Sequence, residues 1–91
     1  MSMVYRYAIQ SGRMFIRDID ADSRMEMFTD DKDEAQLFKS KNAGWKAILA
    51  MQDRFNILTP CHPVRIYVPA MLGIDGRTSI AKRIAKNKSG G

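Results

Sequence analysis

The spacing of apolar residues changes twice along this chain of 91 residues, and that change limits the possible folds more than any other feature. Residues 4–10 alternate between apolar and polar side chains, as does a strand with one buried face. The spacing is helical between residues 31 and 55 and alternates again over residues 64–68. This succession predicts an α+β domain, in which an antiparallel sheet of about four strands has helices against one face.

Three strands are predicted ahead of the helices, in the element order β-β-β-α-α-β. The first places Tyr5, Tyr7 and Ile9 on one face, and the turn at residues 11–12 leads into a returning strand over residues 13–19. The alternation in Arg24–Phe28 predicts a third strand. The fourth strand is predicted over residues 64–68, because prolines at positions 60 and 63 disfavour regular structure just before it.

Two helices are predicted between the third and fourth strands. Asp31 suits an N-cap, and a short helix is expected through residues 35–38. Ser40 suits the N-cap of a longer helix. Its apolar stripe comprises Ala43, Ala47, Ile48, Met51 and Phe55, with Trp45 and Leu49 widening it.

All the excess positive charge lies at the C-terminal end. Residues 1–75 contain ten basic and ten acidic residues, whereas residues 76–91 contain five basic residues and no acidic ones. The composition also shifts at Gly73, so we predict one domain over residues 1–72 and a basic C-terminal tail over residues 73–91. Thr78 or Ser79 suits the cap of a short helix in this tail. Segregated charge of this kind is typical of proteins that bind polyanions.

No pattern in the sequence indicates an enzyme, a cofactor or a metal site. Cys61 and His62 are the only cysteine and histidine, which is too few ligands for a structural zinc. The Asp18, Asp20 and Asp22 spacing departs from a calcium loop, because Ser23 occupies the position that requires glycine. No secretory or membrane-spanning segment is recognisable, and a single cysteine suits a reducing compartment, so we expect a cytoplasmic protein.

The best candidate function is therefore nucleic-acid binding. Tail cations would neutralise phosphates, and arginines interleaved with aromatic residues on strands would contact bases. The competing interpretation is that those aromatic residues form the core. The candidate nucleic-acid-binding residues are Arg77, Lys82, Arg83, Lys86, Lys88, Arg6, Arg17 and Arg65. The expected partner is RNA ahead of DNA, or a host protein associated with nucleic acid.

A resemblance to known proteins covers roughly residues 4–55. After a Tyr-x-Ile strand and a hairpin, residues 28–43 carry the pattern F-x-D-D…A-x-x-F-x-S…A. This arrangement resembles small bacteriophage-encoded accessory proteins of the host-modulating or anti-defence type. The resemblance implies a protein that acts in the host cytoplasm by binding host machinery, including ribonucleoproteins, and not by catalysis.

An alternative function uses the same tail without nucleic acid. Ile80 and Ile84 fall on one side of the expected terminal helix, where they could dock in a groove of a partner protein. In that case the chain would be a protein–protein inhibitor or a homo-oligomeric interaction module.

Overall fold

A computed structural model describes residues 2–55, 60–74 and 78–89 and contains one antiparallel sheet flanked by helices. The strands are β1 (Met3–Ser11), β2 (Met14–Ile16), β3 (Phe28–Thr29) and β4 (His62–Pro69), in the spatial order β3-β2-β1-β4. The helices of the described residues are α1 (Arg24–Met27), α2 (Lys41–Phe55) and α3 (Ile80–Ser89). The α+β class and the four-stranded antiparallel sheet predicted from the sequence are confirmed.

The two faces of the sheet pack against different parts of the chain. On one face, which we call the α2 face, Ile9 and Ile16 form a buried cluster with Ala47, Ile48 and Met51 of α2. On the opposite face, which we call the α3 face, strand residues cluster with the chain that leads into α3. That cluster includes Ala8, Ile66, Val68, Leu37 and Ile74, and the partly buried Ile80 packs against it. Both faces are used because successive strand side chains point to opposite sides.

The predicted third strand is wrong over most of its length. Residues 24–27 form the single turn α1, and only Phe28 of the predicted segment continues into β3. The Ser23 hydroxyl caps this turn by accepting a hydrogen bond of 3.2 Å from the Glu26 amide. A cap of this kind favours helical backbone within one turn, and here it prevails over the alternating pattern.

The predicted helix through residues 35–38 is also wrong. Asp31 does act as a cap, but the helical part is a 3-10 turn at Lys32–Glu34, and the chain is extended at Leu37 and Phe38. Extended backbone sends these two side chains to opposite sides. Leu37 joins the cluster of the α3 face and Phe38 that of the α2 face. Each residue is therefore buried in a different core. One turn of helix would not direct two successive side chains to opposite sides in this way.

The long helix α2 is confirmed, with Ser40 as its cap. The Ser40 hydroxyl accepts a hydrogen bond of 3.1 Å from the Ala43 amide. The expectation that Trp45 and Leu49 widen the buried stripe is wrong, because these side chains are 42% and 66% exposed. Gly44 lies so close to Pro63 that a β-carbon there would come within 3.3 Å of the proline ring. Gly44 thus lies on the side of α2 that packs against the sheet, and the side that carries Trp45 and Leu49 faces solvent.

The strand β4 begins earlier than predicted, because its prolines occupy tolerant positions. Pro63 and Pro69 pair with Ile9 and Met3 at the edge of the described sheet. Both prolines lie an even number of residues from Arg65, so their backbone groups point to the same edge of β4 as those of Arg65. Arg65 is in a non-hydrogen-bonded pair, because the backbone N–H and C=O of its partner Tyr7 bond to Phe38 and not to β4. The missing N–H groups of the prolines therefore face outward, where no ladder hydrogen bond is lost.

The C-terminal tail contacts the body of the protein at several points. The Leu37 amide donates a hydrogen bond of 2.7 Å to the Thr78 carbonyl. The Ser79 hydroxyl caps α3 by accepting from the Lys82 amide at 3.1 Å. Arg83 Nε donates to the Leu72 carbonyl at 2.6 Å. The start of α3 is thus held against the α3 face by backbone pairing and by an arginine side chain.

Candidate nucleic-acid interface

Four side chains form an exposed aromatic and basic surface on the α2 face. We call Tyr5, Tyr7, Arg65 and Tyr67 the tyrosine platform. All four belong to the same side of the β1–β4 ladder as the buried Ile9. Tyr5 and Tyr67 are nevertheless 48% and 60% exposed, so the part of the α2 face that carries them is left open to solvent.

Strand register explains why these side chains lie close together. Tyr5 pairs with Tyr67, and Tyr7 pairs with Arg65. The backbone groups of Tyr7 bond to Phe38 and not to β4, so both are non-hydrogen-bonded pairs, in which opposite side chains are nearest. The Tyr5 ring centroid lies 6.0 Å from that of Tyr7 and 6.3 Å from that of Tyr67, both edge to face. This geometry is typical of favourable aromatic contacts.

Arg65 supplies the positive charge of the platform. Its guanidinium carbon lies 4.7 Å from the centroid of the Tyr5 ring, within the range of a cation–π contact. Interaction with the phenol of Tyr7, and secondarily with that of Tyr67, raises the pKa of Arg65 above its ordinary value. The guanidinium therefore stays cationic at every working pH, and the Arg65 side chain is exposed.

An open groove adjoins the platform along the edge of β1. It has a volume of about 450 Å³ and is lined by Met3, Val4, Tyr5, Arg6 and Lys39, which we call the β1-edge groove. Arg6 is held in place by donating from Nε to the Ile74 carbonyl at 2.9 Å and from Nη1 to the Tyr5 carbonyl at 2.8 Å. Lys39 is exposed.

The predicted nucleic-acid-binding residues are divided between the two faces. Arg65 lies on the platform. Arg6 belongs to the opposite side of β1, with Ala8, and lines the β1-edge groove from there. Arg17 lies near the start of α3. There Arg17 and Lys82 line a cavity of about 260 Å³ together with Glu34, Ser79 and Ala81. Arg17 Nε donates to the Glu26 carbonyl at 3.0 Å. The Glu34 carboxylate in this second cavity opposes the binding of an anion.

The remaining predicted tail residues differ in their surroundings. Lys82 is exposed, while Arg83 is partly buried with Nε bonded to Leu72. Arg77 lies outside the described residues, as do the side chains of Lys86 and Lys88.

The two isoleucines of the alternative hypothesis have unequal surroundings. Ile80 packs against the buried cluster of the α3 face, whereas Ile84 is 40% exposed. Since Ile80 already packs within the protein, the two side chains do not present one open apolar stripe.

The binding residues predicted from the sequence include neither the three tyrosines, although these were recognised on strands, nor Lys39. The alternation of β1 and β4 was a usable signal for the platform, because it puts the three tyrosines and Arg65 on one face. No local sequence pattern indicated how much of this sheet face α2 would cover. Lys39 was missed because it follows the extended residues 37–38, which the sequence pattern predicted to be helical.

Other chemistry is sparse among the described residues. They include no group of three or more His, Cys, Asp or Glu side chains that could hold a metal ion. Cys61 is buried in the cluster of the α2 face, whereas the neighbouring His62 is exposed. Within the described part of the chain, no helix has the length and apolar character needed to cross a membrane. Comparison with family models, curated proteins and solved structures found no match for this chain.

Proposed function

We propose that this protein binds single-stranded nucleic acid, RNA ahead of DNA, through the tyrosine platform, and that it acts by binding and not by catalysis. The observation that carries the proposal is the exposure of Tyr5 and Tyr67 beside Arg65 on an open sheet face. In the proposed role the protein is a phage-type accessory factor that modulates or inhibits host machinery by engaging RNA or a ribonucleoprotein.

Stacking is the interaction that this surface is best suited to provide. Aromatic rings on an exposed sheet can stack on unpaired bases, each contact contributing about 1–3 kcal/mol with little dependence on sequence. A duplex hides its base faces, so the platform favours single strands. RNA comes first because loops and bulges commonly present its bases unpaired.

Electrostatics support the same ligand. Arg65 stays cationic, and the described residues that form the platform and the β1-edge groove include no carboxylate. A phosphate placed near Arg65 would therefore be attracted without a competing negative charge from these residues. Lys82 and Arg83 lie toward the opposite face, so these two cations would add affinity only for a strand long enough to pass around the sheet edge.

The test is fluorescence anisotropy with a fluorescein-labelled single-stranded RNA of about 12 nucleotides, within the range of known single-strand sites. Tyr67→Val keeps a residue that suits a strand but removes the ring. We expect it to weaken binding by about 5- to 150-fold, the equivalent of one lost stacking contact. Trp45→Ala removes an exposed ring from α2 and should leave the affinity unchanged.

A second pair of variants tests the charge of the platform. Arg65→Gln should weaken binding and reduce its salt dependence, since one phosphate contact is lost. Arg13→Gln removes an exposed arginine at the hairpin turn and is the matched control. Wild-type affinity in both Tyr67→Val and Arg65→Gln would overturn the proposal. Equal affinity for duplex and single-stranded RNA would overturn its stacking basis.

A further inference from the structure

We infer that the β1-edge groove holds the sugar-phosphate backbone of the bound strand and that Lys39 is its main phosphate contact. This inference rests on the proposed function, because it assigns the backbone of the same ligand whose bases stack on the platform. Tyr5 connects the two surfaces, since it belongs to the platform and also lines the groove.

The groove exists because the strands beside β1 are too short to cover it. On that side β2 pairs only with Gln10 and Ser11, and Phe38 pairs only with Tyr7. The chain then turns away into α2, whose first residue is Lys41. Among the described residues, the stretch 3–6 of β1 therefore has no strand neighbour on this side.

The charges of the groove favour a phosphate over a peptide strand. Arg6 caps the Tyr5 carbonyl, which an added β-strand would need as an acceptor. Carbonyl partners orient the Arg6 guanidinium but do not neutralise its charge. The Lys39 ammonium has no carboxylate partner among the described residues. Two cations for which the described residues supply no matching anion are suited to a polyanionic backbone.

The arrangement also matches the shape of a single strand. Bases that stack on the platform leave their sugars and phosphates at its margin, and the groove runs along that margin beside β1. From Met3 to Tyr7 the strand rises by ~14 Å, at ~3.4 Å per residue. This length suits roughly two or three unstacked nucleotides, as on other sheet surfaces that bind RNA.

Lys39→Gln tests the inference in the same anisotropy assay, titrated at several salt concentrations with the same labelled RNA. We expect the affinity to fall several-fold for every RNA sequence tested. The slope of log K against log salt should decrease in magnitude by about 0.7, the value for one phosphate contact on a single strand. Lys39→Arg should restore the slope, and Lys32→Gln, at an exposed lysine in the 3-10 turn, should not change it.

The outcomes separate this inference from the proposed function. If Lys39→Gln keeps the wild-type slope while Tyr67→Val loses affinity, the groove assignment is overturned and the platform stands. If Lys39→Gln reduces the slope while Tyr67→Val binds normally, the groove assignment is supported and stacking on the platform is overturned. If the wild-type protein binds no RNA, both fail.

Discussion

Gln36 is a buried polar residue that holds the segment leading to Lys39, and Gln36→Ala tests how much this residue contributes to stability. Its side-chain Oε1 accepts a hydrogen bond of 2.9 Å from the Ile19 backbone N–H, and the Gln36 backbone N–H donates to the Ile16 carbonyl at 2.9 Å. The side chain is only 6% exposed. Gln36 therefore ties the 17–21 loop to the extended residues 37–38, which lead directly to Lys39.

The expected loss of stability has two parts. Removing the acceptor leaves the buried Ile19 amide unsatisfied, which costs about 1–3 kcal/mol. Removing the inner methylene of the side chain costs about 0.8 kcal/mol more. We therefore expect Gln36→Ala to lower the free energy of unfolding by about 2–4 kcal/mol. Because a domain of this size loses about 4–8 °C in Tm per kcal/mol, the shift should exceed roughly 8 °C.

Urea denaturation followed by circular dichroism measures this change, since the partly exposed Trp45 is a weak fluorescence probe of the core. Gln52→Ala is the matched control, because Gln52 is half-buried on α2 and its side chain makes no hydrogen bond to a described residue. Its effect should stay below about 0.5 kcal/mol, as for most surface substitutions. If the two variants are equally stable, the Ile19–Gln36 hydrogen bond does not hold this segment and the reasoning is refuted.

Two further predictions concern the connection between the tail and the body. Gly73→Ala should lower the Tm more than Gly12→Ala does. Both glycines have φ near 60°, a conformation that costs an alanine about 1–2 kcal/mol. Of these two positions, only Gly73 would also bring the added β-carbon against a neighbour, at 3.1 Å from Arg83 Nη2. Arg83→Gln should lower the free energy of unfolding by about 1–2 kcal/mol, because the charged donor to the Leu72 carbonyl is lost, whereas Lys82→Gln should change it by less than about 0.5 kcal/mol. Equal effects of the two glycine variants in thermal unfolding, or of the Arg83 and Lys82 variants in urea denaturation, would contradict the assigned contacts.

The parts of the fold that the sequence predicted correctly depend on neighbours in the chain. Ser40 caps α2 as expected, and Ser79, one of the two expected candidates, caps α3, because a hydroxyl reaches an amide three residues ahead whatever the rest of the protein does. The strand β4 was recognisable from its alternation. The errors at residues 24–27 and 35–38 arose where a short pattern suited two structures and packing against a distant segment chose between them.

For the same reason, the sequence predicted only part of the candidate site. Alternation placed Tyr5, Tyr7 and Ile9 on one face, but it did not distinguish the buried end of that face from the exposed end. Gly44 against Pro63 sets where α2 lies, and that contact joins residues far apart in the chain. Lys39 reached the margin of the platform only because residues 37–38 are extended between two cores.

The sequence by itself determined the α+β class, the principal strands, the helix caps and a basic C-terminal end, because each of these follows from the spacing and chemistry of nearby residues. Only the tertiary structure decided which aromatic residues stay exposed, which cations lie beside them and which arginines serve to hold the chain. The physical reason is that burial depends on contacts between distant segments, and a strand pattern fixes the side to which a residue points without fixing what covers it.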